Sequence, residues 1–426
     1  MNQSLAFIRL TLIFLIGAMG ARADDWPQFR GANRDAIWKE TGILTTFPAA
    51  GLKVAWRAPV GYGLSSPVIA QGRVFLSDAE LQKPKGRERL HCFDEKTGKA
   101  LWTHAHEVTY PTWAFDPSQK AGPNSTPIVQ DGKVWSLGMM GDLFCLDAVQ
   151  GTEVWHKNLM QDYGMKEFSG TTPCPLIDGN RLILTIGCKP DVSVLALDKA
   201  TGKEIWRALG DPVTYSSPII IEAGGQRQLI TWTPKAVTSL DPVTGKTWWR
   251  EELNTTGDYG VATPVHHGDL LLISGLMFQL DATKPAATVL WPSIKPMAKR
   301  IFSHTSMPII LGDHVYAGKM SGQLVCVEAR TGKVIWETDK VTSKGQGAAI
   351  HLTPNGDTVL LFTDQGNLIR AKLTPKGYEE LSRVPVIKPT YAFAGRMLVW
   401  PPPAYANGHV FARNEEELVC ASLAAP

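Results

Sequence analysis

Five stretches of the chain share one phrase: CFDEKTGKALW at 92–102, CLDAVQGTEVW at 145–155, ALDKATGKEIW at 196–206, SLDPVTGKTWW at 239–249 and CVEARTGKVIW at 326–336. In each, glycine (Gly98, Gly151, Gly202, Gly245, Gly332) follows the acidic residue by four places. Tryptophan (Trp102, Trp155, Trp206, Trp249, Trp336) follows it by eight. The phrase reads as a hairpin. The acid ends one strand and accepts hydrogen bonds from the turn, glycine takes the left-handed position, and tryptophan lies in the returning strand. A second phrase precedes each hairpin, as in SSPVIAQGRVFL (65–76), STPIVQDGKVWSL (125–137), SSPIIIEAGGQRQLI (216–230) and SMPIILGDHVYAG (306–318). It reads as a strand opened by small residues and proline, a glycine turn and an apolar strand.

Two hairpins give four strands per unit, and successive tryptophans from Trp56 to Trp336 stand 42 to 53 residues apart, the spacing of propeller blades. Trp291 marks a unit whose turn, DATKPAATVLW, is two residues longer. A degenerate unit follows in AAIHLTPNGDTVLLF (348–362) and LIRAKLTPKGYEEL (368–381), with His351 near the proline slot. The last unit, PPPAYANGHVFAR with ELVCASL, ends one strand short, while LKVAWRAP (52–59), carrying Trp56, has no hairpin before it. Joined, these fragments complete one blade. The expectation is an all-β, eight-bladed propeller of four-stranded antiparallel blades, its ring closed by an N-terminal strand. A tryptophan recurring once per blade is expected to pack between neighbouring blades, and the repeating acid to serve its turn rather than a metal.

Residues 1–23 combine a basic residue, a short apolar run and Ala21-Arg22-Ala23. They read as a signal peptide cleaved after Ala23, with no cysteine placed for a lipid anchor. The expected organisation is signal peptide 1–23, leader 24–52 and propeller 53–426, in a periplasmic or secreted protein. No later stretch suits a membrane helix. The whole chain carries +3 and the mature chain +1, which argues against a nucleic-acid partner. Of the six cysteines, Cys92, Cys145 and Cys326 stand two places before the turn acid, and Cys420 is read into the same slot, where a small buried side chain is wanted. A Cys174–Cys188 disulfide stays open.

Chemistry, if any, belongs to the non-repeating segments between each tryptophan and the next proline, which ring one mouth of the central channel. The candidates for a ligand or protein partner are Tyr62, Tyr163, Tyr215, Tyr259, Arg300, His304, Lys344 and Tyr391. They read either as an aromatic-lined funnel or as lids capping the blade ends. His104 and His106 lack a third ligand at a defined spacing, so no metal site is assigned, and no nucleophile elbow, P-loop or dinucleotide fingerprint occurs.

The LDxxTGKxxW hairpin with its SSP-type inner strand resembles the pyrroloquinoline-quinone (PQQ) repeat family over nearly the whole mature chain. DDWPQFRGANRDAIWKETGI (24–43) also looks like the leader of its exported members. The resemblance implies one of two classes. Quinoprotein dehydrogenases of the family bind PQQ and calcium at the channel mouth and carry adjacent cysteines, which this chain lacks. Noncatalytic members include the propeller subunit of the outer-membrane β-barrel assembly machinery. The reading adopted is an exported, noncatalytic scaffold that binds a protein or ligand. The alternatives are a divergent PQQ-dependent oxidoreductase and a carbohydrate-binding or carbohydrate-active propeller.

Overall fold

The computed structural model describes residues 24–116, 121–164, 173–188, 191–253, 260–291, 302–303 and 305–426. Strand β1 (Val54–Pro59) is followed by β2 (Val68–Ala70), β3 (Arg73–Gln82), β4 (Lys85–Asp94) and β5 (Ala100–Thr109), and β2 to β5 form the first blade in sequence order. The pattern recurs in seven further four-stranded antiparallel sheets, so the fold is an eight-bladed propeller. The blades span 128–158, 176–208, 219–252, 265–291, 309–338, 350–385 and, for the eighth, 404–422 together with β1. In that eighth sheet β1 pairs antiparallel with Glu417–Ser422, setting Trp56 opposite Cys420. The ring is therefore closed by joining the two ends of the chain.

The turns obey local chemistry. Asp94 Oδ1 accepts from the Thr97 amide (2.9 Å) and hydroxyl (2.7 Å), and the Gly98 amide donates to the Asp94 carbonyl (2.9 Å). Gly98 sits at φ +68°, open to glycine at little cost. In the second blade, where threonine is missing, Asp147 Oδ1 takes the Val149 and Gln150 amides, both at 3.0 Å.

Each turn also receives the previous blade. The Trp56 indole lies on Gly98, Trp102 on Gly151, Trp155 on Gly202, Trp206 on Gly245 and Trp291 on Gly332, so closely that an added Cβ would come within 2.5 to 3.0 Å of the ring. The indole N–H then donates to a turn carbonyl of that next blade: Trp56 to Glu95 (2.7 Å), Trp291 to Ala329 (2.6 Å) and Trp336 to Thr374 (2.8 Å). Trp249, whose next blade carries the longer turn, donates instead to Gln228 of its own blade, at 2.7 Å. All six cysteines are buried free thiols, Cys174 and Cys188 included. Burial pushes Cys92, Cys145 and Cys420 up to about 12.

Gly72 and Gly98 test the docking contact within one blade, because both have positive φ but Gly72 has open space where Gly98 meets Trp56. Gly72→Ala should cost about 1 kcal/mol for conformation alone, and Gly98→Ala about 2 kcal/mol more for the displaced indole. Denaturant unfolding of the two variants measures the difference.

Candidate functional site

The short inner strands of the blades face the ring axis, and that axis is occupied by the leader. Trp26 pairs with Ile69 in β2 through two backbone hydrogen bonds of 2.9 Å, and the Val129 amide donates to the Pro27 carbonyl (2.8 Å). Phe29 packs with Cys174, Ala262 and Met307, which precede inner strands of three other blades. Arg34 Nη1 donates to the Pro175 carbonyl (2.6 Å) and Nη2 to that of Cys174 (3.2 Å). The Trp38 amide donates to Pro354 (2.9 Å), and Glu40 receives the amides of Asn407 (2.5 Å) and Gly408 (2.6 Å). A segment this short can reach seven of the eight blades only from the axis.

Its path follows from these partners. Asp25 caps the Gln71 amide at the face carrying the hairpin turns (3.1 Å), the chain rises to the start of the third blade's inner strand at Arg34, and it returns to a turn of the eighth blade at Glu40. The reversal is made by Arg30, Gly31, Arg34 and Ala36, all at positive φ. Gly31 is required there, since a Cβ would come to 3.0 Å from the Trp26 ring. Trp26 and Trp38 flank Tyr405 at 5.9 and 5.4 Å between ring centroids. Burial draws the guanidinium groups of Arg30 and Arg34 down to about 10, so both stay charged at neutral pH.

Beside the plug, His351 Nε2 lies 2.8 Å from the Trp400 carbonyl, which fixes that nitrogen as the donor. Burial, with Arg30 nearby, lowers its imidazole from 6.5 to about 4.

A second polar cluster joins the first two blades near the mouth formed by the inter-blade segments. Glu88 accepts from Tyr110 Oη (2.8 Å) and the Met139 amide (3.1 Å). Asp142 Oδ1 faces His156 Nε2 (2.9 Å) and receives Asn158 Nδ2 (3.0 Å). His106 Nε2 stands between the two acids, 3.8 Å from Glu88 and 3.7 Å from Asp142. Phe144 is packed by His104, His106 and His156, with centroids 4.6, 4.8 and 4.2 Å away. Burial raises the Glu88 carboxyl despite the opposing pull of His106. Burial also acts upward on Asp142, but His106, Asn158 and His156 outweigh it and hold that carboxyl low.

The mouth candidates are spread around the ring. Tyr62 is held by backbone bonds to Ala79. Tyr163 ends the helix Leu159–Tyr163, with its hydroxyl 3.2 Å from Glu204 and Arg207 over its ring at 5.5 Å. Tyr215 is half-buried before the fourth blade, Lys344 is exposed and paired with Asp339 (2.7 Å), and Tyr391 is buried against Trp400 (4.9 Å). Tyr259, Arg300 and His304 lie outside the described residues. The sequence reading missed Arg30, Arg34, Glu88 and Asp142, and for the two arginines the available signal was a pair of cations among the aromatics of a non-repeating segment.

Four-stranded blades docked tryptophan-on-turn define a PQQ-like β-propeller. A family model described as "Outer membrane protein assembly factor BamB" matches residues 86–283 and again 236–374, and the chain belongs to that family. Among curated relatives, the quinohemoprotein alcohol dehydrogenase of Comamonas testosteroni is 26% identical over 71% of this chain and 43% of its own length. BamB of Burkholderia pseudomallei is 25% identical over 61% of this chain and 65% of its own length. The chain thus spans less than two thirds of either relative. Of solved structures, the Comamonas dehydrogenase superposes with a TM-score of 0.65 at 16% identity (94% of this chain, 81% of that one). BamB from Moraxella catarrhalis gives 0.59 at 15% (87% and 99%). At these identities the two superpositions speak for fold alone.

The described residues leave no room for a quinone with calcium on the ring axis. Trp26, Phe29, Arg30, Arg34 and Trp38 fill it, leaving beside Arg30 a cavity of about 20 Å³ for the centre of a water-sized particle. No group of three or more His, Cys, Asp or Glu among the described residues is placed to hold a metal ion.

His351 carries a pH dependence of known sign. With its folded pKa below the unfolded value, the unfolded chain binds the extra proton between about 6.5 and 4, so stability falls as pH drops through that window. His351→Gln, which keeps a donor for Trp400, should remove up to about 3 kcal/mol of that loss, read as the difference between the two unfolding profiles at pH 7 and pH 4.

Proposed function

We propose that the protein is an exported, noncatalytic propeller that acts as a binding scaffold, with residues 1–23 removed as a signal peptide after Ala23. The leader 24–52 then serves as the channel plug and 53–426 as the ring. The observation that carries this reading is the plug itself: a propeller whose axis is filled by its own chain has its outer surfaces left for binding. The inter-blade mouth, with Tyr62, Tyr163, Tyr215 and Lys344 and with Tyr259, Arg300 and His304 outside the described residues, is the surface proposed to meet a protein partner. The family match and the BamB relatives support the same reading. No helix among the described residues is long and apolar enough to cross a membrane.

The identity to a quinohemoprotein alcohol dehydrogenase over 71% of the chain favours a second reading, a divergent quinoprotein. Two measurements separate them. Under the scaffold reading, saturating PQQ with calcium leaves the melting temperature unchanged, whereas a rise of several degrees would establish the quinoprotein. A partner recovered with the native protein should be lost at least about tenfold on Tyr62→Ala or Tyr215→Ala while the melting temperature holds, as for a central interface aromatic. Undiminished recovery by both variants would remove the mouth from the interface.

A further inference from the structure

Arg30 is 5% exposed on the axis of the ring, and its surroundings leave it poorly matched. Its hydrogen bond is a long one, Nη2 to the Asp35 carbonyl at 3.4 Å, while Nε and Nη1 have no hydrogen-bond partner. Asp35, the acid that acts on it through space, turns Oδ1 to the Ile37 amide (3.0 Å). The other buried arginines of the axis and its rim are treated differently. Arg34 is bonded to the carbonyls of Pro175 and Cys174, and Arg413 to those of Asn414, Gly63 and Gly61. A buried cation whose donors go unsatisfied is among the most costly features a fold can carry.

The side chain of Arg30 borders the cavity described above, whose walls include Trp26, Ser66, Met307 and His351. Two further wall groups are buried without hydrogen-bond partners, Ser66 Oγ and His351 Nδ1. Three unsatisfied polar side chains from the leader, the first blade and the seventh thus line one small space. That space, about 20 Å³ for the centre of a water-sized particle, is large enough for one such particle and too small for an organic ligand.

We propose that this cavity is a buried binding site for a single halide-sized anion, held by Arg30 with the Ser66 hydroxyl. A water molecule would satisfy donors there but leave the guanidinium with only the distant offset of Asp35, whereas a small anion also places a negative charge directly against it. His351 Nδ1 is an acceptor while the ring is neutral, because Nε2 carries the proton given to Trp400; it becomes a third donor to the anion only when the ring is protonated. The site joins the plug to two blades, so anion binding tightens the leader in the ring. The proposal is independent of whether the mouth binds a partner.

Thermal unfolding of the full chain in sodium gluconate, with gluconate replaced stepwise by chloride or bromide at constant ionic strength, tests it. The expected result is a saturating rise in melting temperature of about 2–5 °C with either halide, absent in Arg30→Gln. Ser66→Ala, a milder change, should weaken the halide affinity about fivefold, as for loss of one hydrogen bond. Identical melting in gluconate and halide, or the same saturating rise in Arg30→Gln, would overturn the proposal. Should Arg30→Gln fail to fold, crystals grown in bromide decide the matter. An anomalous peak within hydrogen-bond reach of Arg30 Nε or Nη1 supports the site, and a water alone there refutes it.

Discussion

Everything in this ring depends on an indole laid over a glycine. A four-stranded blade has two faces and cannot bury both by itself, so each must be covered by a neighbour. The contact that sets the neighbours' relation is specific: Trp56, Trp102, Trp155, Trp206 and Trp291 lie where no Cβ fits, at Gly98, Gly151, Gly202, Gly245 and Gly332. The indole N–H closing on a turn carbonyl, as from Trp56 to Glu95, fixes both the depth and the angle of the dock. Because each dock joins one blade to the next, the series must return to its start. Trp56 makes the return, sitting in the eighth blade through its pairing with Cys420 and docking on the first.

Closing an eight-membered ring creates a second problem at the centre. The inner strand is an edge of every sheet, and its outward backbone groups need partners. Several edges are held short, three residues in β2 and in the strands Ile128–Gln130 and Leu176–Asp178. Part of what remains is met by the leader, which bonds to Ile69, Val129 and Pro354 and fills the space between with Trp26, Phe29 and Trp38. The four left-handed residues between Arg30 and Ala36 show that this fit has a conformational cost, of the order of 1–2 kcal/mol for each non-glycine, which the axial packing must outweigh.

The parts of this structure legible in the sequence are those whose contacts recur. Blade count, turn chemistry and closure through Trp56 all follow from a spacing repeated around the ring, because the dock it encodes sets tryptophan on glycine at five of the junctions. The leader's destination was not legible for the opposite reason. Arg34 meets Pro175 141 residues away, and Glu40 meets Gly408 368 residues away, in contacts made once and with no period to betray them. The cluster at His106 is intermediate. The His104–His106 alternation was visible, but the acids facing it, Glu88 and Asp142, come from a neighbouring strand and a neighbouring blade, and only the docked ring sets them beside the histidines.

The leader is better understood as part of the fold than as a gate. A gate must leave without cost to either side, which requires that its polar groups and those of its socket find water equally well in both states. Here Arg34 would leave the carbonyls of Cys174 and Pro175 unbonded, Glu40 would leave the turn amides of Asn407 and Gly408, and the Trp38 carbonyl would leave Asn355. Withdrawal would also expose Trp26 and Trp38, which are 4% and 1% accessible, and strip Tyr405 of both its aromatic neighbours. The same chain then continues past Ile43, bridged to Ala424, into β1, so the segment that plugs the axis is covalently continuous with the strand that closes the ring. Plug and closure are consecutive stretches of one chain, and displacing the first pulls directly on the second.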